Sequence, residues 1–230
     1  MSGPVKGRRY DSSRRRKQAA ATRLEILEAS RRLFERQGYA ATTMAAISAE
    51  AGVAVKTVYL AFDTKAGVLR ALWNLLLRGD VEDTPVPERD WYRAVLVEPD
   101  AEQQLRQTAR SSRIVKERVG ALFEVIRGAA ATEPEIDDLW RRIQTEFHGV
   151  LRTIVESIDE KGALAQGVDV DRATDILWSI SHPSLWELLV RERGWTPEDY
   201  EAWCADTTCT QLLLDRGTPR VSPRSAPETV

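Results

Sequence analysis

At 230 residues, 43% apolar and 30% charged, the chain is long enough for one large or two small domains with real cores. No run approaches ~18 apolar residues, so no membrane-spanning helix is expected. Its two cysteines, Cys204 and Cys209, lie five apart, ~140° round a helix, and cannot pair with each other there. So few thiols behind a polar N-terminus without a signal-peptide pattern point to a reducing cytoplasm.

The net charge of −2 favours no partner, but its distribution is uneven. Residues 1–72 hold 14 Lys/Arg against six Asp/Glu, a surplus of eight positive charges, so the other 158 residues carry ten negative ones. A basic N-terminal third on an acidic remainder reads as a polyanion-binding module joined to a separate body. A solvated basic tail without a target would show the same excess.

In chain order, residues 1–16 are Gly, Ser, Arg and Lys with little apolar content, which predicts a disordered basic arm. From about Lys17 to Gln37, Ala20, Leu24, Leu27, Ala29, Leu33 and Phe34 recur at helical spacing, and Gly38 ends that helix before Tyr39. Thr42 or Thr43 caps a short helix whose inner face is Met44, Ile47 and Ala51, and Gly52 supplies the left-handed residue that stops it. A second short helix carries Val55, Val58 and Phe62 inward and leaves Lys56, Thr57 and Tyr59 on its other side. Helix, tight Gly turn, helix is the arrangement that lays its second member in a major groove. Thr64 precedes a helix with an apolar face of Val68, Leu69, Leu72, Trp73, Leu75 and Leu76, and Lys65 at its start sits where free N–H groups attract phosphate.

A boundary falls near residues 79–90, where Gly79, Pro85, Pro87 and five acids interrupt the helical pattern. Trp91, Tyr92, Val95 and Leu96 form a short apolar patch of open type. Helical spacing then runs from about Asp100 to Ala131, from Glu133 to Lys161, from Asp169 toward Gly194 with a break expected at Pro183, and from Thr196 to Leu214. No alternating strand pattern occurs, so the chain reads as all-α. The division expected is a basic arm at 1–16, a helix-turn-helix domain at 17–79, a helical regulatory and dimerisation domain at 80–215, and a disordered Pro/Ser-rich tail at 216–230.

Catalytic and metal signatures are missing from the sequence. Gly52-Val-Ala-Val-Lys56-Thr57 lacks the glycine that a phosphate-binding loop needs directly before its lysine, and neither G-x-S-x-G nor H-E-x-x-H appears. The two histidines, His148 and His182, have no Cys or His at ligand spacing. No enzymatic activity, cofactor or metal is expected. In contrast, Lys56, Thr57 and Tyr59 lie in the first turns of the second short helix, where a reading helix meets base edges and phosphates. Tyr59 fits either a phosphate contact or packing.

Residues Leu24–Leu69 resemble the DNA-binding domain of the TetR family of bacterial transcriptional regulators. The likeness rests on Ile26-Leu27, Ala29, Leu33-Phe34 and Gly38-Tyr39, then Thr42-Thr43-Met44, Ile47-Ser48 and Ala51-Gly52-Val53, then Thr57-Val58-Tyr59, Phe62, Lys65 and Leu69. Three positions depart from the family pattern. Ala54 stands where a capping Ser is usual, Ala46 where an acid is common, and Leu60 where an aromatic or His is frequent. The resemblance implies DNA contacts from Thr43, Lys56, Thr57, Tyr59 and Lys65. It also implies a subunit of about nine helices, a homodimer formed through the last two, a palindromic double-stranded operator, and a small-molecule effector that releases the DNA.

The C-terminal sequence carries no family motif. Trp186, Leu189, Trp203 and Leu212 are candidates for a dimer interface, or they pack within one subunit. Phe123, Trp140, Phe147 and Trp178 line an effector pocket or simply form core. The competing function is an α-helical enzyme or small-molecule carrier with an incidental basic arm.

Overall fold

The computed structural model describes residues 8–79 and 85–214, with side chains from Arg14 onward. The expected tail at 216–230 and the first seven residues of the expected arm lie outside these. Among the described residues there are nine α-helices of at least eight residues, one shorter α-helix, a 3-10 turn at Val86–Glu88, a π-helical turn at Glu187–Glu192 and no strand. They are α1 (Arg8–Ala41), α2 (Met44–Ala51), α3 (Val55–Phe62), α4 (Lys65–Arg78), α5 (Asp90–Val97), α6 (Ala101–Ala130), α7 (Pro134–Glu160), α8 (Val170–Ile180), α9 (Pro183–Trp186) and α10 (Pro197–Leu212). The all-α reading stands. The apolar patch at Trp91–Leu96 is helical, and α1 opens at Arg8, so residues 8–16 of the expected arm belong to a helix.

The chain forms two compact units, each assembled from separate stretches of sequence. The first contains residues up to Val86 together with Ile114–Glu146, so the later part of α6 and the earlier part of α7 belong with α1–α4. One apolar core runs through it: Ile26, Leu27, Leu33 and Phe34 of α1, Met44 and Ile47 of α2, Val58 and Phe62 of α3, and Leu69, Leu72 and Trp73 of α4. Val119, Leu122, Phe123 and Ile126 of α6, with Ile136, Leu139 and Ile143 of α7, complete it. Apolar residues three and four apart bury one stripe of each helix, as the periodicity predicts.

The second unit holds Pro87–Arg113 and the chain from Phe147 onward. Tyr92 Oη donates to the Val150 carbonyl at 2.9 Å, and Gln104 Nε2 donates to Ser157 Oγ at 3.2 Å, which ties α5 and α6 to α7. Arg113 reaches Glu201 at 2.6 Å and Arg106 reaches Asp206 at 3.0 Å, linking α6 to α10. Ala109, Trp186, Tyr200, Cys204 and Ala205 form a small apolar cluster. The break expected at Pro183 falls between α8 and α9, because proline cannot donate to the preceding turn. After α9 the chain makes a π-helical turn over Glu187–Glu192 rather than continuing regularly toward Gly194.

Candidate nucleic-acid interface

Two residues set the start of the helix pair. Gly38 adopts φ 75° and breaks α1, after which Thr42 Oγ1 donates back to the Gly38 carbonyl at 2.8 Å. Thr43 is the cap of α2: its Oγ1 accepts from Ala46 N at 3.1 Å, satisfying one of the N–H groups that a helix start leaves free. Gly52, at φ 67°, ends α2 in the left-handed conformation. The axes of α2 and α3 then turn by 110°, inside the range of helix-turn-helix pairs.

Val58 and Phe62, four residues apart, anchor α3 with 0% and 7% exposure. Val55, expected inward, is 39% exposed, because it is the first residue of the helix and the buried stripe begins three residues later, at Val58. Arg23 of α1 holds the far end of α3: its Nη1 donates to the Ala61 carbonyl at 2.6 Å, and its guanidinium lies 4.1 Å from the Phe62 ring centroid. Asp63 then takes φ 63° and ψ −58°, with Thr64 N donating to the Phe62 carbonyl at 2.7 Å, a strained three-residue turn that aims α4 back across α3. α4 passes so close that a Cβ on Gly67 would collide with the Phe62 carbonyl oxygen, so this position excludes every side chain.

The expected contact residues fall into two groups. Lys56 and Tyr59 project from α3 into solvent, Tyr59 at 50% exposure, and Thr57 is half-buried beside them. Thr43 is exposed but its hydroxyl already accepts the α2 cap bond. Lys65 is half-buried, with Nζ donating to the Tyr39 carbonyl at 2.9 Å and lying 3.9 Å from the Tyr39 ring centroid. Burial lowers the Lys65 pKa, partly opposed by the Glu133 carboxylate. Tyr39 itself stacks on Phe34 at 5.9 Å, and burial, then Glu133 and Glu135, push its hydroxyl up to about 12. The structure therefore uses the Lys65 ammonium to fasten the start of α4 to the end of α1.

Ala54 caps α3 with no side-chain hydrogen bond, as its methyl group dictates. Sequence reading missed Arg23 and Gly67. Each acts through a partner far along the chain or through a backbone approach, and neither leaves a local pattern. It also named Leu60 only as a departure, although Leu60 is 79% exposed on the outer face of α3.

The aromatic candidates separate between the units. Phe123 is buried in the first, 4.9 Å from Trp140 and 6.3 Å from Trp73, and is part of its core. Phe147 and Trp178 belong to the second. There Trp178 lies 4.9 Å from His182 and 6.4 Å from His148, and its indole N–H is buried without a hydrogen-bond partner. Of the candidates for subunit contact, Trp186 and Leu212 are buried within the single chain, Trp186 edge-on to Tyr200 at 5.2 Å. Their area is removed from water before any partner arrives. Leu189 and Trp203 remain half-buried, near Leu188 and Trp195 at 46% and 37% exposure.

A right-angled helix pair on an apolar core, with a lysine and a tyrosine free on its second member, defines a helix-turn-helix DNA-binding module. Residues 26–72 match the family model described as bacterial regulatory proteins, tetR family, so the resemblance read from the sequence holds for this domain. Solved structures agree on the fold. A TetR-family regulator from Syntrophomonas wolfei superposes with a TM-score of 0.66 at 22% identity, covering 83% of this chain and 94% of its own. A transcriptional regulator from Saccharomonospora viridis in complex with choline gives 0.66 at 16% identity, covering 84% and 98%. The SmeT–triclosan complex gives 0.62 at 20% identity, covering 90% and 100%. No curated protein matches the chain significantly. Among the described residues no single helix is long and apolar enough to cross a membrane.

Proposed function

We propose that the chain is a ligand-responsive repressor that binds a palindromic operator as a homodimer. Residues 17–79 read the DNA, and residues 80–215 carry effector binding and dimerisation. The observation that carries this reading is the outward face of α3, where Lys56 and Tyr59 stand free over a fully formed core. Exposed Arg14, Arg15, Arg16 and Lys17 on α1 add positive charge to the same unit and favour a phosphate backbone. Thr43, Thr57 and Lys65 flank the contact, Lys65 chiefly by holding Tyr39.

The dimer reading draws on the apolar residues left at the surface after α9: Leu188, Trp195 and the partly covered Leu189 and Trp203. Effector binding is supported by the choline and triclosan complexes of the structural neighbours, and by the unpartnered Trp178 N–H, a donor that an effector oxygen would satisfy. Phe147 and Trp178 are the favoured pocket residues. The reading assigns the chain no catalysis, cofactor or metal, and places it in the cytoplasm.

A gel shift with the DNA upstream of the chain's own gene tests it. Binding should weaken steeply as salt rises, because each phosphate contact releases a counterion. Absent or salt-insensitive binding at modest ionic strength would return the protein to the carrier reading.

A further inference from the structure

We propose that Leu60 is a specificity-determining residue that reads thymine C5-methyl groups in the major groove. The inference rests on the DNA-binding reading of α3. At ~100° per residue, Val58 and Phe62 centre the buried stripe of α3, and Leu60 lies ~180° from that centre. Its exposure of 79% is the highest among the large apolar residues described, on a helix whose core side is fully packed. Lys56 lies one turn before it and Thr57 three residues before it, so the outward face is a leucine flanked by a cation and a half-buried hydroxyl.

The composition of α3 sharpens the point. Its sequence, VKTVYLAF, contains no Arg, Asn or Gln, so of the side chains that pair bidentately with guanine or adenine it holds only Lys56. Lys56, Thr57 and Tyr59 are its hydrogen-bonding side chains: Lys56 can read guanine from the first turn, and Thr57 and Tyr59 suit single-point or phosphate contacts. What remains to distinguish bases at the centre of the face is an isobutyl group. The matching feature on a base edge is the thymine methyl, the one apolar group the major groove displays. Water would otherwise cover both surfaces, so bringing them together is favourable.

The test uses the full chain. It is first presented with a pool of random double-stranded DNA at fixed salt, and the enriched sequence is determined. Each thymine of that sequence is then replaced singly by deoxyuridine, which removes only the methyl group. At one thymine, or two adjacent ones, the substitution should weaken binding about fourfold, equivalent to the ~0.8 kcal/mol of one buried carbon group. Leu60→Ala should abolish that sensitivity, and Leu60→Gln, which keeps the side-chain length, should do the same. Circular dichroism of both variants should match the parent, since the side chain is outside the core.

An enriched sequence whose affinity ignores every thymine methyl overturns this inference and leaves the regulator reading intact. Methyl sensitivity that survives in both variants assigns it to another residue and also overturns it. Failure to enrich any sequence overturns the regulator reading and this inference together.

Discussion

The helices that shape the two units differ in what they bury. In the first, α3 and α4 bury only apolar side chains, Val58 and Leu69 among them at 0% exposure, while Ser30, Thr42, Ser48 and Lys116 are polar residues buried elsewhere in that unit. In the second, Gln104, Thr108, Thr174, Ser181 and Thr208 are buried alongside the apolar residues. The threonines among them turn back on their own helices: Thr108 Oγ1 donates to the Gln104 carbonyl at 2.8 Å, Thr174 to Val170 at 2.7 Å, and Thr208 to Cys204 at 2.8 Å. A hydroxyl satisfied in this way presents its methyl group to the interior, so it occupies a core position without an orphaned donor. A polar letter in the sequence of α8 or α10 therefore does not mark a solvated face. In α3 the buried letters, Val58 and Phe62, are both apolar, although Val55, Tyr59 and Leu60 stay exposed.

The contrast is broken most forcefully at Phe62. It is 7% exposed, closes the far end of α3 and takes the Arg23 guanidinium on its ring. Phe62→Ala should cost ~3–5 kcal/mol, the usual range for an aromatic cut from a packed core. Urea denaturation would read the loss, and DNA affinity should collapse with it because α3 loses its seat. A loss under ~1 kcal/mol would mean that α3 is held by the Arg23–Ala61 hydrogen bond and its flanking turns rather than by burial, and the first unit would not be the apolar assembly described.

What the sequence made legible follows the same division. The helix pair could be read because its signals are local: Gly38 and Gly52 at positive φ, Thr43 at a cap, and apolar residues three and four apart. The contacts that fix its geometry were not legible, because Arg23 meets Ala61 across 38 residues and Lys65 meets Tyr39 across 26. The start of α1 at Arg8 was hidden by a run of charged and hydroxyl residues with no apolar stripe. Beyond the helix pair, the dimer and pocket candidates were chosen as the most apolar letters. For Trp186, Leu212 and Phe123 the structure shows burial inside the single chain. Large apolar residues seek the nearest core first, and sequence alone does not tell an internal core from one shared with a partner or ligand.

The comparison can be sharpened within the helix pair itself. α2 begins on Thr43, whose oxygen takes the Ala46 N–H, whereas α3 begins on Ala54 with no side-chain bond. Ala54 already has the extended backbone of a cap, at φ −68° and ψ 144°, and is exposed, so a hydroxyl can be added there without displacing anything. Ala54→Ser should therefore stabilise the protein by ~1 kcal/mol, and Thr43→Ala should destabilise it by a similar amount. Thermal melts of the two variants, read by circular dichroism, should shift in opposite directions. Equal shifts of the same sign would show that capping is not what sets the two starts apart.

The smallest effect belongs to Thr208, and it decides whether the polar core of the second unit matters for stability. Its Oγ1 donates to the Cys204 and Ala205 carbonyls at 2.8 and 3.1 Å, within its own helix. Thr208→Val exchanges the hydroxyl for a methyl of similar size at 2% exposure. The Cys204 carbonyl still has its position in the helical ladder, so no acceptor is stranded, and the burial cost of one hydroxyl disappears with its bond. These changes oppose each other, and a typical hydrogen bond contributes only ~1 kcal/mol net, so the variant should lie within ~1 kcal/mol of the parent in urea denaturation. A loss of several kcal/mol would mean that the hydroxyl does more than satisfy itself. In that case the buried threonines would be specific fastenings of α10, and the two units would differ in what holds them as well as in the letters that fill them.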